Sequence, residues 1–479
     1  MRRPTVLREA MVATSHPLAT RAGVRALEHG GNAVDAVLAA AAMLVVAEPG
    51  HNGIGGDLFA QVWWEGELHG LNGSGRSPAE LPEPAVHPYG PRSVTVPGVV
   101  RAWADLAERY GRLGLDAALG GAIDAAERGV AATERVAENW AATDRAPRSA
   151  PRRGEVYALP ELARTLRLLE REGPVAFYAG AVAEAIAGSS WLSVDDLAAH
   201  TSEWVEPLRL RYRGVEVCEL PPNGQGAAAL IALALMEGLA DTLHSRIEAT
   251  KLALADVYSW VSDGPLPGFL LDPEHLAARR ALVSPERALD PQPSAAPRGG
   301  TTYLCTVDAH RNAVSLIQST YEHFGSGVVA GDTGVVLQNR GACFVETEGH
   351  PNRLAPAKRP FHTIIPGMLL RDGALLGPFG VMGGAMQAQG HAQLVHALVD
   401  RGLDPQRALD EPRFRVGAGR DVALEPGLWV EAPELRELGH ELELAESEHG
   451  FGVGQCILVD GDALLGGSDG RGDGHVSGL

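Results

Sequence analysis

The sequence predicts an α+β fold, and three observations carry that expectation. Two helical segments open the chain, one over residues 18–29 and an alanine-rich one over 36–47. A mostly helical middle extends over about 99–280. Short runs of β-forming residues stand apart from these helices, at 58–64, 301–307 and 313–319.

Each element has a local reason. Residues 11–15 read as an extended piece. The first helix stops at Gly30-Gly31, because glycine accepts the left-handed backbone of a helix end. Asn32 can cap the second helix, whose apolar stripe includes Val34, Val37, Leu38 and Leu44. A glycine loop (Gly50, Gly53, Gly55, Gly56) leads into the strand at 58–64. Prolines break the helical middle at 147–151, 221–222 and 265–267. Residues 285–300 hold Pro291, Pro293, Pro297, Gly299 and Gly300 and read as an exposed, flexible segment. Two strands follow it, joined by a turn over 308–312. There is no internal repeat and no low-complexity tail.

Composition bounds the function. A chain of 479 residues has ample core material and room for about three average domains or one large one. A net charge of −19, from 41 basic and 60 acidic residues, argues against nucleic acid and against anionic membrane surfaces as partners. No apolar core follows Arg2-Arg3, and the run over 36–47 is too short to span a bilayer, so a cytoplasmic protein is expected. Cys218, Cys305, Cys343 and Cys456 are scattered and read as reduced core thiols. His16, His51, His362 and His391 lack metal-ligand spacing, so neither a metal nor a cofactor is expected, though His362 is kept as a pocket residue. The loop over 50–56 does not complete a dinucleotide fingerprint, since the sixth position is Leu58, and it lacks a phosphate-loop lysine. The Gly- and Asp-rich stretch over 466–473 lacks calcium-loop spacing and reads as a loop near the sheet that starts at Thr301.

The chemistry centres on Gly299-Gly300-Thr301-Thr302, where two glycines run into a threonine that opens a strand. A threonine hydroxyl needs a base within reach to act as a nucleophile. If the Thr301 hydroxyl attacks the Gly300 carbonyl and the resulting ester is hydrolysed, Thr301 is left with a free α-amine. That amine has a reference pKa of about 7.7–8.0 and can serve as the base for attack on an incoming amide. Gly300 tolerates the strained backbone of such an attack. Taken alone, the motif is equally an ordinary passage from loop to strand.

Further segments resemble the γ-glutamyltransferase family, in order along nearly the whole chain. They are the stretch from Met11 to Ala19, Gly30-Gly31-Asn32-Ala33-Val34-Asp35-Ala36, Gly53-Ile54-Gly55-Gly56-Asp57, Gly75-Arg76-Ser77-Pro78, Phe324-Gly325-Ser326-Gly327, Lys358-Arg359-Pro360 and Gly383-Gly384. The resemblance implies an N-terminal-nucleophile hydrolase with a four-layer αββα sandwich. It implies a proenzyme that cuts itself between Gly300 and Thr301 into a large chain (1–300) and a small chain (301–479), one intertwined unit. By position, Thr301 matches the nucleophile, Gly383 and Gly384 the oxyanion-hole amides, and Ser319 a threonine that supports processing and the nucleophile. Arg76 matches the arginine that binds the donor's α-carboxylate, a task suited to a guanidinium. The implied partner is a small-molecule amide, and the implied assembly a heterodimer of the cut chains that can pair again.

Three departures bear on the substrate. An acidic residue that grips the donor's α-amine is replaced by Cys343, just before Phe344. A serine pair is replaced by His362-Thr363, and the stretch between Phe344 and Lys358 is short, so a lid loop is absent. The site loses a carboxylate and gains a cation at Arg340. The expected activity is therefore that of a hydrolase or acyltransferase acting on γ-glutamyl donors such as glutathione. One rival is an acylase for carboxylate-bearing acyl amides without an α-amine, similar to the cephalosporin-acylase and oxamate-amidohydrolase relatives. The other is an uncut, non-catalytic binding protein.

Overall fold

The computed structural model describes residues 2–82, 85–291, 300–448 and 450–479. Helix α1 (Pro17–Glu28) begins at a proline, with the His16 ring nitrogen Nδ1 accepting from Leu18 N at 3.2 Å. Helix α2 (Ala33–Ala47) carries the cap read from the sequence: the Asn32 side chain accepts from Val34 N and Asp35 N, and Asp35 accepts from Asn32 N in return. Every residue of α2 is buried, which explains why it has no polar face. The other principal helices are α3 (Val99–Tyr110), α4 (Leu115–Arg128), α5 (Pro160–Glu172), α6 (Gly226–Met236), α7 (Leu243–Trp260), α8 (Met386–Val399) and α9 (Pro405–Asp410).

The strands of the two large sheets are β1 (Thr5–Leu7), β2 (Met11–Thr14), β3 (Asp57–Trp64), β4 (Glu67–Asn72), β5 (Glu203–Val205), β6 (Leu208–Tyr212), β7 (Val215–Glu219), β8 (Gly300–Val307), β9 (Ala313–Tyr321), β10 (Gly367–Arg371), β11 (Ala374–Met382), β12 (Val453–Asp460), β13 (Ala463–Ser468) and β14 (His475–Gly478). One seven-stranded sheet runs β14-β2-β8-β9-β3-β4-β5 and the other β1-β13-β12-β11-β10-β7-β6. Three strands of the large sheets (β5, β6 and β7) thus lie within the middle read as mostly helical, as does a small ribbon of Val130–Ala131 with Val156–Tyr157. In β6 the signal was a period of two, with Leu208, Leu210 and Tyr212 alternating with the exposed Arg209 and Arg211.

Three apolar clusters set the layers. Tyr303, Cys305, Ile317, Phe59, Met368 and Ile457 fill the space between the sheets. Leu304, Val314, Leu316, Leu58 and Ala60, on the opposite face of the first sheet, meet α2, α3, α4 and α5. Val217, Leu369, Phe379 and Val381, on the outer face of the second sheet, meet α6, α7 and α8. The alternation of Tyr303, Cys305 and Val307 against Leu304 shows why β8 is buried throughout: both of its faces are core. The architecture is the four-layer αββα sandwich.

The segment before β8 is tied down at its start. Ala288 N donates to Leu438 O, Leu289 N to Glu248 at 2.7 Å, and the Lys251 ammonium to Leu289 O at 3.1 Å. Residues 292–299, including Gly299, lie outside the described residues. All four cysteines are buried and free. Among the described residues no helix is long and apolar enough to cross a membrane.

The stretch over 466–473 is a loop only from Asp469 on: Gly466–Ser468 end β13, paired to β12, and the loop that follows packs against that sheet. The buried Asp469 carboxylate accepts from Arg413 at 2.7 Å, from Arg471 at 3.0 Å through both its side chain and its backbone N–H, and from Gly454 N at 3.0 Å. Burial pushes this carboxyl up, but Arg413, Arg471 and the two N–H groups outweigh it and hold it below the ordinary carboxylate range. The stabilisation is present at neutral pH and is lost as pH falls through the lowered value. Asp469→Asn should therefore cost about 3–5 kcal/mol at pH 7. Melting temperatures from pH 7 to pH 3 should fall less steeply for the variant than for the unaltered protein.

Candidate active site

Thr301 is the second residue of β8, between a register shift at Gly300/Thr302 and a fully paired strand. Its hydroxyl donates to Ser319 Oγ on β9 at 3.4 Å and accepts from Gln387 Nε2 at 3.3 Å. Ser319 in turn donates to the Gly300 carbonyl at 2.8 Å and accepts from Tyr321 N at 2.8 Å. In the continuous chain Gly300, Thr301 and Ser319 are all buried. Gly300 is pressed against two stacked imidazoles. A Cβ at this position would sit 2.7 Å from His323 Cδ2 and 3.1 Å from His51 Cδ2, and the two rings are 4.8 Å apart. Burial pushes His323 down to about 4 and His51 well below the usual histidine range, so both are neutral at pH 7.

Arg340 opens a 3₁₀ turn, Arg340–Cys343, and is 0% exposed. Its guanidinium donates to Thr363 Oγ1 at 2.9 Å and to Ser319 Oγ at 3.3 Å, approaches Cys343 Sγ at 3.9 Å, and lies over the Tyr321 ring at 4.4 Å. Among the described residues its Nε has no hydrogen-bond partner, and no carboxylate forms a salt bridge with it. Burial raises the Cys343 thiol, so this side of Thr301 carries a cation and a neutral thiol.

His362 lies one shell further out. Its Nε2 is 3.1 Å from Asp57 Oδ2, which also accepts from Gln338 Nε2 at 3.0 Å, while Asp57 Oδ1 accepts from Gly75 N at 3.1 Å. Gln338 Oε1 accepts from Arg340 N at 2.9 Å and so couples this group to the arginine. Burial pushes Asp57 up to about 7 against the opposing pull of Arg340, and pushes His362 well below its usual range.

Gly383 and Gly384 turn β11 into α8, with φ of 130° and 59°, conformations that suit glycine. They stand at the N-terminus of a 14-residue helix, where backbone N–H groups and the helix dipole favour negative charge. Gln225, just before α6, donates to both Gly384 O at 2.9 Å and Thr363 O at 2.6 Å, and Gln387 accepts from Ile365 N at 3.0 Å.

The structure therefore joins Thr301, Ser319, Arg340, Cys343 and Thr363 in one network, ties Gly384 to it through Gln225, and sets His362 behind it. Arg76 stands apart: it is 39% exposed and pairs with Asp263 at 2.6 Å and Glu203 at 3.2 Å. Gln225, His323, Tyr321 and Gln387 were not read from the sequence; each is a common residue type with no motif around it. The short stretch after Phe344 folds on itself, with the Asn352 side chain bonding Cys343 O and Phe361 N.

Among the described residues, the one group with metal-like donors is His244, Glu248 and His440, which does not include Thr301. The Lys251 ammonium already pairs with it, 3.0 Å from Glu248 and 3.2 Å from His440 Nδ1. A cavity of about 270 Å³ lined by Ile54, Trp140, Leu162 and Phe324 does not include Thr301.

The family model described as gamma-glutamyltranspeptidase matches residues 19–479. The chain is 35% identical to the glutathione hydrolase-like YwrD proenzyme of Bacillus subtilis and 34% identical to the oxamate amidohydrolase proenzyme of Klebsiella pneumoniae, with 100% of each chain covered in both cases. It is similar in structure to a cephalosporin acylase from Bacillus halodurans, with a TM-score of 0.95 and 42% identity, covering 100% of this chain and 97% of that one. The chain belongs to the gamma-glutamyltranspeptidase family and is an enzyme of the N-terminal-nucleophile hydrolase type.

Gln387 joins Thr301 to the loop at Ile365. Gln387→Ala should lower stability by about 1–3 kcal/mol, because it leaves the buried Ile365 N–H unpaired. Gln387→Glu keeps that acceptor but removes the donor to Thr301, so it should regain stability in a denaturant titration without regaining the turnover lost by the alanine variant.

Proposed function

We propose that this member of the gamma-glutamyltranspeptidase family is a self-processing threonine amidohydrolase, and that its acyl substrate carries a terminal carboxylate and no α-amine. The observation that carries this reading is Arg340. A buried guanidinium without a carboxylate in contact is costly, and this one stands beside Ser319 and Thr301 with its Nε free of any described partner. A substrate carboxylate would complete the site. An ammonium there would meet a cation and a neutral thiol instead. Arg340 rather than Arg76 takes the carboxylate, since the Arg76 charge is already met by Asp263 and Glu203. The names of the oxamate amidohydrolase and cephalosporin acylase relatives support the same substrate class.

In the mechanism that follows, the cut between Gly300 and Thr301 gives chains 1–300 and 301–479 and frees the Thr301 amine. That amine takes the hydroxyl proton as Thr301 Oγ1 attacks the substrate amide. The N–H groups of Gly383 and Gly384 receive the developing oxyanion, fixed in place before the reaction begins. The leaving amine takes the proton, and water then releases the acyl group from Thr301. Cleavage of γ-glutamyl amides is the second reading, favoured by the name of the YwrD relative.

A denaturing mass spectrum with N-terminal sequencing should find two chains meeting at Gly300/Thr301. A single chain of 50.4 kDa that persists on long incubation would sink the reading. Gly300→Ala, whose Cβ would collide with His323, should slow the cut about tenfold or more. Glutaryl amides and oxamate should be turned over in preference to γ-glutamyl anilides. Efficient turnover of γ-glutamyl anilides with none of the glutaryl analogues would reverse the substrate assignment. Arg340→Gln should lower kcat/KM for the carboxylate substrates by about 10- to 100-fold.

A further inference from the structure

We propose that Arg340 is also a positioning residue for self-cleavage: before any substrate arrives, its guanidinium polarises the Gly300 carbonyl through the Ser319 hydroxyl. This inference rests on the reading of Thr301 as a self-processing nucleophile. The geometry is a short relay. Ser319 Oγ accepts from Arg340 Nη2 at 3.3 Å and from Tyr321 N at 2.8 Å. Tyr321 N takes one lone pair, Arg340 shares the other with the longer contact from Thr301 Oγ1 at 3.4 Å, and the single hydrogen goes to the Gly300 carbonyl oxygen at 2.8 Å. A hydroxyl that accepts from a cation is a stronger donor, more so where water is excluded, and Arg340, Ser319 and Gly300 are all buried.

The precursor needs such help for a chemical reason. Its Thr301 nitrogen is an amide and cannot act as the base that the mature chain has, so the electrophile must be activated instead. In the step, the Thr301 Oγ1–C bond to Gly300 forms and negative charge grows on the Gly300 oxygen, where the Ser319 hydrogen bond tightens. The C–N bond then breaks, and the hydroxyl proton of Thr301 ends on the freed nitrogen. Water hydrolyses the ester, giving the Gly300 carboxylate and restoring the Thr301 hydroxyl. Gly300 leaves, and the guanidinium that served the scissile carbonyl faces the space where the substrate's carboxylate binds. Arg340 is placed for this role because its charge is not consumed by a contacting carboxylate. Asp57 acts on it only from behind Gln338.

The test follows the cut in freshly synthesised full-length chain, by gel and mass spectrometry over time. Arg340→Ala should be cut about 10- to 100-fold more slowly than the unaltered chain. Arg340→Lys should fall between the two, and dilute guanidinium chloride should speed the alanine variant while leaving the unaltered chain unchanged. Cutting of Arg340→Ala at the normal rate would overturn the proposal. So would a slow alanine variant that guanidinium does not speed and that the lysine variant merely equals, since a purely structural role gives that pattern. If the unaltered chain is never cut, the reading of Thr301 fails as a whole. If it is cut and only the arginine results go against expectation, that reading stands and this inference alone falls.

Discussion

A strand bonded on both edges and buried on both faces leaves its residues almost no freedom, and β8 is such a strand. It pairs with β9 from Gly300 to Val307 and with β2 from Leu304 to Val307. Thr301 stands at the register shift where this strand begins, its hydroxyl on Ser319 of β9, and the site is assembled around that point. The same pairing makes a cut before Thr301 structurally cheap. Both sheets combine strands from residues 5–219 with strands from 300–478, so breaking one peptide bond removes no ladder. Neither part holds a complete sheet, and the two must fold together.

The second constraint is charge. Arg340 is held by hydroxyls, a thiol and an aromatic face, contacts that orient a guanidinium without neutralising it. Asp57 answers it at one remove, and burial lifts that carboxyl to about 7 even with Arg340 opposing. A substrate carboxylate at about 4 Å would gain on the order of 4 kcal/mol of attraction, before desolvation, at the effective dielectric of such a site. An α-ammonium at the same distance would lose as much. Under the proposed function, a difference of that size outweighs a single extra hydrogen bond in telling a carboxylate from an ammonium.

Much of this was legible in the sequence, because local rules governed it. The caps at Asn32 and Gly30, the buried α2 and the strand pair at β8 and β9 follow from residue types whose conformational needs are strong. Resemblance supplied the αββα layering and pointed to Thr301, Ser319, Gly383, Gly384, Arg340, Cys343, His362 and Thr363. What could not be read depends on long-range geometry. Gln225 and Gln387 act by joining loops far apart in the chain, and a lone glutamine carries no signal of that. His323 matters because it lies against Gly300 across the β9 turn, and Arg76 is drawn away by Asp263, some 187 residues distant in sequence. The three strands over 203–219 were hidden by their shortness and by flanking helices.

The departing residue and the arriving acyl group draw on the same surfaces under the proposed mechanism. Gly300 occupies a slot between the stacked, neutral rings of His51 and His323 on one side and the Ser319 hydroxyl on the other. Its carbonyl takes the hydrogen bond that Arg340 strengthens. Once it leaves, the slot has an uncharged wall, a hydroxyl and a cation, with the freed amine and Thr301 Oγ1 at its floor. Apart from the substrate, that set has no carboxylate to pair with an ammonium and two kinds of donor for a carboxylate. A chain able to cut itself there has already tested the placement of its nucleophile against a carbonyl. The substrate then needs only to present its own carbonyl carbon to Thr301 Oγ1, its oxygen toward Gly383 and Gly384, and to supply the negative charge that Gly300 lacked.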